Sequence, residues 1–449
     1  MALLDTARHL AALSAWAAGL RLRDIPAAVT RRASLVVLDL VGCNLAGSRD
    51  DGMPDLAAAL GRRPGRATLA GTPVQADPAG AALFNAAAIV ALELDETNLF
   101  AKGHPGAHVW PAVLAAAEDE GRSGAELLTA FIAGYETGAR VARATELSPA
   151  VHPHGTAVAV AAAAGLARLW EFHPPTFAAA VQQGAALLIP ADWNAARLGG
   201  TVRNLFAGVV AQSAFVAAES IRCGLTHNPA ALDAVLGQIL GTRFDAASLS
   251  EGLGDVWAIE SDLYFKPHAC CLGVHSALDA LLELRRREPF ESERVRRVTV
   301  ETYRSAALLA DREPPTPLAA KFSIPHALAA AMVLGETGPA AFDAASLRNE
   351  RIRALSRRID VSEDPALTAR LPALRPARVV VTLDDRQVAT ECARSNGLPI
   401  DDGGQAIEKK FMKLSEPVIG ADAAAAVREA VRRMETVPNA GALTSPLRT

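Results

Sequence analysis

The sequence is poor in aromatic residues, and this scarcity is the first guide to its fold. Aromatic side chains make up 5% of the 449 residues, although half of all residues are hydrophobic. Alanine supplies much of this hydrophobic content, and alanine has the highest intrinsic helix propensity. We therefore expect a mostly helical protein.

The chain also lacks a strong charge of either sign. It has 45 lysines and arginines against 49 aspartates and glutamates, which gives a net charge of −4. Such a balance provides no extended basic field to attract nucleic acid or an anionic membrane surface, so we expect neither partner. An anionic ligand must then be bound by a local group of cations.

Cysteine and long apolar runs are scarce as well. The cysteines are odd in number and irregular in spacing, and a chain of this length buries enough apolar surface to fold without disulfides or a structural metal. Met1–Trp16 lacks the apolar core of a signal peptide, and runs such as Ala157–Ala167 are too short to span a bilayer. We expect a reduced, cytoplasmic protein. The cysteines are Cys43, Cys223, Cys270, Cys271 and Cys392.

Helical periodicity covers the first half of the chain. Apolar residues recur at helical spacing from Leu3 to about Ile221, with glycine and proline between the segments. Several segments, such as Thr156–Leu169, are apolar nearly all round, which is typical of helices buried in a large bundle. The helical pattern returns from Ile407 to about Met434.

The pattern changes after Leu263. Val295–Tyr303 and Ala377–Leu383 are β-rich, and Gln387–Thr390 completes a hairpin with the second of them. Ser356–Val361 is a further candidate strand.

These patterns predict a mainly α fold with two domains. A large all-helical domain, residues 1–263 completed by 400–449, is interrupted by a smaller α+β lid domain, residues 264–399. We expect a ligand to bind in the cleft between the two domains.

Polar residues cluster at the end of one apolar helix, in Glu93–Asn98 and Lys102–His108. Three carboxylates, a threonine and two imidazoles fall within sixteen residues. Histidine is the usual general acid or base near neutral pH, and a neighbouring carboxylate fixes its tautomer. A solvated loop with helix caps is the alternative interpretation. The candidate catalytic residues here are Glu93, Asp95, Thr97 and His104.

Two further segments place donor or cationic side chains at predicted helix starts. His152 lies in Val151–Thr156, just before an alanine-rich helix whose N-terminus would favour a carboxylate; an ordinary capping turn is the alternative. Arg203 stands among apolar residues where another helix begins. A semi-buried arginine prefers a bidentate anion, either a substrate carboxylate or a structural aspartate or glutamate.

Two segments of the predicted lid domain carry lysine beside aromatic residues. Lys266, in Tyr264–His275, lies where the chain enters this domain and could clamp a substrate carboxylate. The histidines and cysteines that follow it superficially resemble a zinc site, but adjacent cysteines chelate one ion poorly, so we predict packing cysteines and no metal. Lys321 opens the second segment, Lys321–His326, and alone would be interpreted as a surface lysine.

Taken in order, these segments resemble the MmgE/PrpD family, which includes 2-methylcitrate dehydratase, cis-aconitate decarboxylase and iminodisuccinate epimerase. The likeness extends from Leu38 to Phe411. The family pattern D-x-D-D-T is similar to Glu93–Thr97, HPS to His104–Gly106, and HPTGT to His152–Thr156. The pattern K-R-L-H-A-G is similar to Arg203–Gly208, K-P-Y-P-C-C-x-x-x-H to Lys266–His275, and K-F-S-x-P-Y to Lys321–His326.

The resemblance implies a helical domain with a lid domain, a homodimer, and an active site at the junction that needs no cofactor or metal. It also implies that His275 and His326 contact substrate. The chain departs from the family at Glu93 (usually aspartate), Arg203 (often lysine), Phe206 (histidine) and His326 (tyrosine). These departures concern the residues that would select the substrate.

Reactions of this family move a proton, or release carbon dioxide, at a carbon beside a carboxylate. Cations in a closed, dry site stabilise the enolate-like state that forms there. We hypothesise that Arg203 and Lys266 bind a small di- or tricarboxylate, that His104 moves the proton and that His152 is a second donor. The expected activity is a cofactor-independent lyase of the dehydratase (hydro-lyase) type. The alternatives are an epimerase or decarboxylase on the same scaffold, or a non-catalytic helical binding protein.

Overall fold

The computed structural model describes residues 2–261 and 263–449, with side chains from residue 4 onward. α-Helices dominate the described chain, which confirms the predicted mainly α fold. In chain order they are α1 (Ala2–Gly19), α2 (Ala27–Gly47), α3 (Met53–Leu60), α4 (Pro78–Ala91), α5 (Pro105–Glu120), α6 (Gly124–Ala144), α7 (Val160–Leu169), α8 (Pro174–Ala186), α9 (Trp193–Arg197), α10 (Val202–Arg222), α11 (Leu272–Arg287), α12 (Arg304–Ala307), α13 (Pro317–Lys321), α14 (Ile324–Leu334), α15 (Ala344–Arg348), α16 (Glu350–Ser356), α17 (Pro365–Thr368), α18 (Gln405–Ile419), α19 (Ala421–Arg432) and α20 (Gly441–Thr444).

The strands form one four-stranded sheet and several two-stranded ribbons. Most of the ribbons join loops at the ends of helices. In chain order the strands are β1 (Ala67–Thr68), β2 (Gln75–Ala76), β3 (Thr97–Asn98), β4 (Thr145–Leu147), β5 (Gly241–Phe244), β6 (Leu263–Tyr264), β7 (Val295–Thr302), β8 (Ile359–Glu363), β9 (Ala377–Leu383) and β10 (Gln387–Cys392).

The chain divides into two compact units. Unit 1 comprises the described residues up to Asp192 together with Val202–Phe265 and Leu398–Thr449, so it contains both ends of the chain. Unit 2 comprises Trp193–Thr201 and Lys266–Gly397, and it includes the four-stranded sheet.

The short segment around α9 belongs to unit 2, although the sequence pattern placed it in the helical domain. The hydroxyl of Thr316 donates to the carbonyl of Gly199 at 3.2 Å, and Trp193 packs edge-on against Phe322 with ring centroids 6.2 Å apart. These contacts join residues more than a hundred positions apart, so no local sequence signal announces them.

Small residues let the helices of unit 1 approach each other closely. A Cβ atom added to Gly138 of α6 would lie 2.5 Å from the Cβ of Ala161 of α7, so only glycine fits at this crossing. The predicted burial all round is confirmed for α4, where every residue from Phe84 to Ala91 is buried. Close crossings of this kind fill the interior of unit 1 without many aromatic side chains.

Helix α10 is long and apolar enough to cross a membrane by length and composition, and it is the single such helix among the described residues. In the fold, 61% of its apolar window is buried. Its inner face packs against α4, α7 and α8. Its placement is that of a core helix of unit 1.

Unit 2 is built on the sheet β10-β9-β7-β8, in which β7 and β8 run parallel and the other pairs are antiparallel. Alternate residues of β9 are buried, and α11 packs against β9 and β10 while α14 packs against α11. The predicted strands Val295–Tyr303 and Ala377–Leu383 and the hairpin to β10 are confirmed. The candidate strand Ser356–Val361 lies three residues further on, at Ile359–Glu363.

Candidate active site

The polar segment after α4 turns into the interior of unit 1. We call Glu93–Asn98 the acid turn. It leaves the helix through Glu93, which has a positive φ of 53°. Asp95, Glu96 and Asn98 are fully buried, so the alternative of a solvated loop is wrong.

Asn98 anchors the end of the acid turn. Its side-chain amide donates to the carbonyl of Ala258 at 2.6 Å, and its side-chain oxygen accepts from the backbone N–H of Ala101 at 2.8 Å. The backbone of β3 also pairs with β6 in antiparallel register. These bonds satisfy the buried backbone and hold three carboxylates at one place.

His104, the residue before α5, faces the acid turn. Its Nδ1 lies 2.8 Å from Oδ2 of Asp95 and 2.6 Å from the carbonyl oxygen of Glu96. Both oxygens are acceptors, so the hydrogen-bond network assigns the proton of a neutral ring to Nδ1. Nε2 then carries the lone pair, and the side chain of His104 is 14% exposed in a cluster that is otherwise buried.

Thr97 and Glu93 take different places from those expected of a group that orients His104. The hydroxyl of Thr97 is 3.5 Å from Nδ1 of His104, at the outer limit of a hydrogen bond. The carboxylate of Glu93 instead forms an ion pair with Arg203. Orientation of His104 therefore falls to Asp95 and to the carbonyl of Glu96.

Arg203 is buried and bound inside the protein. One guanidinium nitrogen donates to the carbonyl of Val90 at 2.7 Å, and another pairs with Glu93. Of the two partners expected for Arg203, the structure shows the carboxylate within the protein, Glu93. An arginine so engaged offers little charge to a substrate unless Glu93 is displaced, so a direct contact with substrate stays a prediction.

The segment before α7 brings further histidines to His104. His108, one turn along α5, donates from Nδ1 to the carbonyl of His104 at 2.8 Å and accepts at Nε2 from the N–H of Gly155 at 3.3 Å. Burial is the main reason that the pKa of His108 falls to about 4. Gly155 has a φ of 82°, a conformation that favours glycine. His108 is therefore a neutral side chain that connects α5 to this segment by hydrogen bonds.

Three imidazole rings form a stack beside the acid turn. His154 lies between His104, at a centroid distance of 4.4 Å, and His152, at 5.3 Å, with interplanar angles of 22° and 15°. The backbone N–H of His154 donates to Nδ1 of His152 at 3.1 Å, so a neutral His152 carries its proton on Nε2. All three histidines of the stack belong to unit 1.

A buried ion pair contacts the backbone of the acid turn. Nζ of Lys410, on α18, lies 2.7 Å from Oδ1 of Asp39, on α2, and donates to the carbonyl oxygen of Leu94 at 2.6 Å. Asp39 is almost fully buried and Lys410 nearly so. Helices from the two ends of the chain thus hold one peptide of the acid turn.

The cluster also contains a set of potential metal ligands. Ligand atoms of Asp95, His104 and His154 lie within 4.8 Å of one another, a two-histidine, one-carboxylate combination found in iron and zinc sites. The stacked rings of His104 and His154 have nearly parallel in-plane lone pairs, however, which do not converge on one ion. The geometry fits proton transfer better than metal binding.

The remaining predicted site residues lie in unit 2. Lys266, the first residue of its main segment, is fully buried. Its ammonium group opposes the effect of burial on Cys270, whose thiol pKa is nevertheless raised well above its ordinary value. His275 is also buried, with Nε2 3.1 Å from the carbonyl of Cys270, which is a structural contact. Lys321, on α13, is buried rather than at the surface.

His326 lines an open pocket of 630 Å³ within unit 2. Its Nε2 lies 2.9 Å from the carbonyl of Ala341, and burial lowers the pKa of its imidazole. Arg312, Arg348 and Arg353 line the same pocket. Glu313 and Glu350 line it as well, and Arg353 pairs with Glu350 while Arg312 pairs with Asp360, so the charges around His326 are largely balanced within the protein.

Several residues of the site were missed at the level of sequence. His154 follows His152 by two positions and His108 follows His104 by four, a spacing that places two histidines on one helix face. Those spacings were a usable signal. The pairing of Asp39 with Lys410 spans 371 positions and carries no local signal.

Comparison with known proteins agrees with this architecture. Residues 11–240 match the MmgE/PrpD N-terminal domain and residues 268–436 match the MmgE/PrpD C-terminal domain. A cis-aconitate decarboxylase-like protein, oryM, of Aspergillus oryzae is 26% identical over 95% of this chain and 94% of its own length. A cis-aconitate decarboxylase of Aspergillus terreus is 29% identical over 61% of this chain and 59% of its own length. The chain belongs to the MmgE/PrpD family, as its motifs indicated.

Proposed function

We propose that this protein is a lyase that acts on a small di- or tricarboxylate, with His104 moving a proton at a carbon next to a carboxylate. The observation that supports this most strongly is the 2.8 Å contact between Nδ1 of His104 and buried Asp95. The contact leaves Nε2 as the basic nitrogen. The carboxylate stabilises the imidazolium that forms when Nε2 takes a proton.

Dehydration is the first form of the proposal. Nε2 of His104 takes the proton from the carbon next to a carboxylate, and the electron pair of that C–H bond forms the double bond. The imidazolium of His104 passes this proton to the hydroxyl on the neighbouring carbon, which leaves as water, while Nε2–H of His152 donates a hydrogen bond to the leaving oxygen. Lys266 is the cation that we assign to the substrate carboxylate from the family resemblance.

Decarboxylation is the second form, and the names of the fungal relatives favour it. The bond between the carboxylate carbon and its neighbour breaks, carbon dioxide leaves, and the electron pair remains on that neighbour. The imidazolium of His104 then donates its Nε2 proton to this carbon. Both forms require the same histidine, in opposite protonation states at the start.

Turnover of a panel of citrate-like and aconitate-like acids tests the proposal. We expect NMR to detect an unsaturated acid and water loss, or evolved carbon dioxide, with at least one member of the panel. His104→Gln and Lys266→Met should each lower kcat/KM by about 100-fold, the scale of losing a general acid–base group or a charged substrate contact. His173→Gln, an exposed histidine at the start of α8, is the matched control. Near-normal turnover by His104→Gln would overturn the proposal, and near-normal turnover by Lys266→Met would overturn the assignment of Lys266.

We also propose that the protein is a homodimer, as the family resemblance implies, and that it is cytoplasmic, as its cysteine usage indicates. The chain mass is 46.8 kDa. Light scattering of the purified protein should give twice this mass. A mass of one chain at micromolar concentration would contradict the proposal.

A further inference from the structure

We propose that His154 is a positioning residue for His104, acting through the stacked face of its ring; this inference rests on the proposed function. His154 is fully buried and is the middle ring of the three-histidine stack. Its ring lies 4.4 Å from that of His104 at an angle of 22°. The two rings are therefore nearly parallel and in stacking contact.

The contacts of Nδ1 leave the ring of His104 some rotational freedom, and stacking on His154 restricts that rotation. Nδ1 of His104 is held by Asp95 and by the carbonyl of Glu96, which both act on one atom of the ring. The ring is attached at Cγ and restrained at Nδ1, so small rotations about χ1 and χ2 that keep Nδ1 within hydrogen-bond range still move Nε2 on the far side of the ring. A flat surface against the ring face restricts these rotations, so the direction of Nε2 becomes fixed as well.

His154 is itself held firmly enough to serve as that surface. Its backbone N–H donates to Nδ1 of His152, and its ring also stacks on the His152 imidazole at an interplanar angle of 15°. The next residue, Gly155, is bonded to His108, whose other nitrogen holds the backbone of His104. Segment 152–155 and the start of α5 therefore form one connected support.

The charged and titratable groups around His154 are consistent with a ring that stays in place during proton transfer. His104, His108 and His152 surround it, and a carboxylate oxygen of Asp95 lies within 4.8 Å of one of its nitrogens. When His104 becomes an imidazolium, Asp95 lies next to the new charge. His154 then needs no proton of its own to support the reaction.

Two substitutions test whether the ring of His154 positions His104. His154→Thr removes the ring and introduces the residue of the family pattern HPTGT, which should fit the backbone. His154→Phe keeps a flat ring and removes both nitrogens. We expect His154→Thr to lower kcat about tenfold or more with KM changed less than twofold, because orientation of a base acts on the transition state. His154→Phe should keep kcat within threefold of the wild type.

A substrate-independent measurement accompanies the kinetics. In protein labelled with ¹³C at the Cε1 of histidine, the His104 resonance, assigned with His104→Gln, should broaden or split in His154→Thr and stay single in His154→Phe. Equal loss of kcat in both variants, or kcat within twofold of the wild type in His154→Thr, overturns the inference. Normal turnover by His104→Gln instead overturns the proposed function, so the two failures are distinguishable.

Discussion

At the scale of single residues, the site is defined by which atoms are already bonded. His104 presents Nε2 because two acceptors engage Nδ1, whereas both ring nitrogens of His108 are taken by the backbone. Two histidines one helical turn apart thus have different chemistry. The identity of the residue does not decide its role; the partners of each nitrogen do.

The stability of the protein should fall in acid because of His108. Its pKa is lowered from 6.5 to about 4, so between these values the unfolded chain binds a proton that the folded protein excludes. The free energy of unfolding therefore decreases as the pH falls through this window, by about 3 kcal/mol in total. Urea unfolding at pH 7.5 and pH 4.5 should show this loss in the wild type and a smaller one in His108→Asn.

Glu136 has the opposite effect on the pH dependence of the free energy of unfolding, over part of the same pH range. Burial raises its pKa to about 7, so the folded protein retains a proton that the unfolded chain releases above about 4.5. Its contribution to stability is present at low pH and is lost as the pH rises to 7. The comparison of His108→Asn with the exposed-site control His173→Gln removes this background. An equal acid loss in both variants would contradict the account of His108.

Sequence patterns predicted the residues of the site better than their contacts. Asp95, Thr97 and His104 were identified as one group, and two of the three contacts to Nδ1 of His104 come from Asp95 and Thr97. Arg203 was expected to pair with a carboxylate either of the substrate or of an aspartate or glutamate in the protein; the structure pairs it with Glu93, and contact with substrate stays a prediction. That choice depends on a contact between α10 and the end of α4. The two are far apart in the sequence, so no local pattern predicts the contact.

At the scale of elements, the acid turn depends on helices from both ends of the chain. Lys410 of α18 bridges Asp39 of α2 and the carbonyl of Leu94. A Cβ atom on Gly42 would lie 3.3 Å from the Cα of Phe411, so α2 and α18 pack closely one turn beyond the ion pair. This packing fixes the position from which Lys410 reaches the turn.

Removal of the Lys410 ammonium should destabilise the fold and impair the site. Lys410→Met leaves Asp39 buried without its cation, which costs about 3–5 kcal/mol in comparable pairs. The double variant Asp39→Asn/Lys410→Met should recover part of this stability in urea unfolding. It should still lose kcat about tenfold, because the carbonyl of Leu94 has lost its donor.

Lys410→Arg is the conservative control, since it keeps the charge and the donors. Recovery of both stability and kcat by the double variant would show that Lys410 serves only to neutralise Asp39. In that case the hydrogen bond to Leu94 does not position the turn.

Helices and strands with a regular hydrophobic pattern could be predicted from the sequence. The helical segment predicted over Thr156–Leu169 contains α7 at Val160–Leu169, and β9 was predicted over Ala377–Leu383 and is found there. The assignment of α9 to unit 2 was not predictable, because it depends on Thr316 and Phe322 far along the chain. Local periodicity encodes elements, while long-range contacts decide how they are grouped.

At the scale of the whole molecule, unit 1 is completed only by the last fifty residues. Phe411 of α18 and Val431 of α19 are buried in the core that contains α2. The backbone N–H of Gly124, which begins α6, donates to the carbonyl of Val437 at 2.9 Å. Folding of the helical unit therefore requires chain segments that are separated by all of unit 2.

A chain that ends at Gly397 should not fold. It lacks α18 and α19, which cover α2, and the turn Met434–Thr436, which packs on α6, so apolar faces of both helices become exposed and Asp39 loses its cation. Circular dichroism and urea unfolding should show loss of cooperative unfolding. Removal of only Arg448 and Thr449, two exposed residues, is the control and should leave the transition intact. A cooperative transition in the longer truncation would contradict this account of unit 1.

The central claim is that Nε2 of His104 exchanges a proton with the carbon next to a substrate carboxylate. The most direct measurement is solvent deuterium incorporation at that carbon, followed by NMR in D₂O with the best acid of the panel. We predict incorporation by the wild type and a rate about 100-fold lower in His104→Gln. Incorporation at the wild-type rate in His104→Gln would contradict the claim.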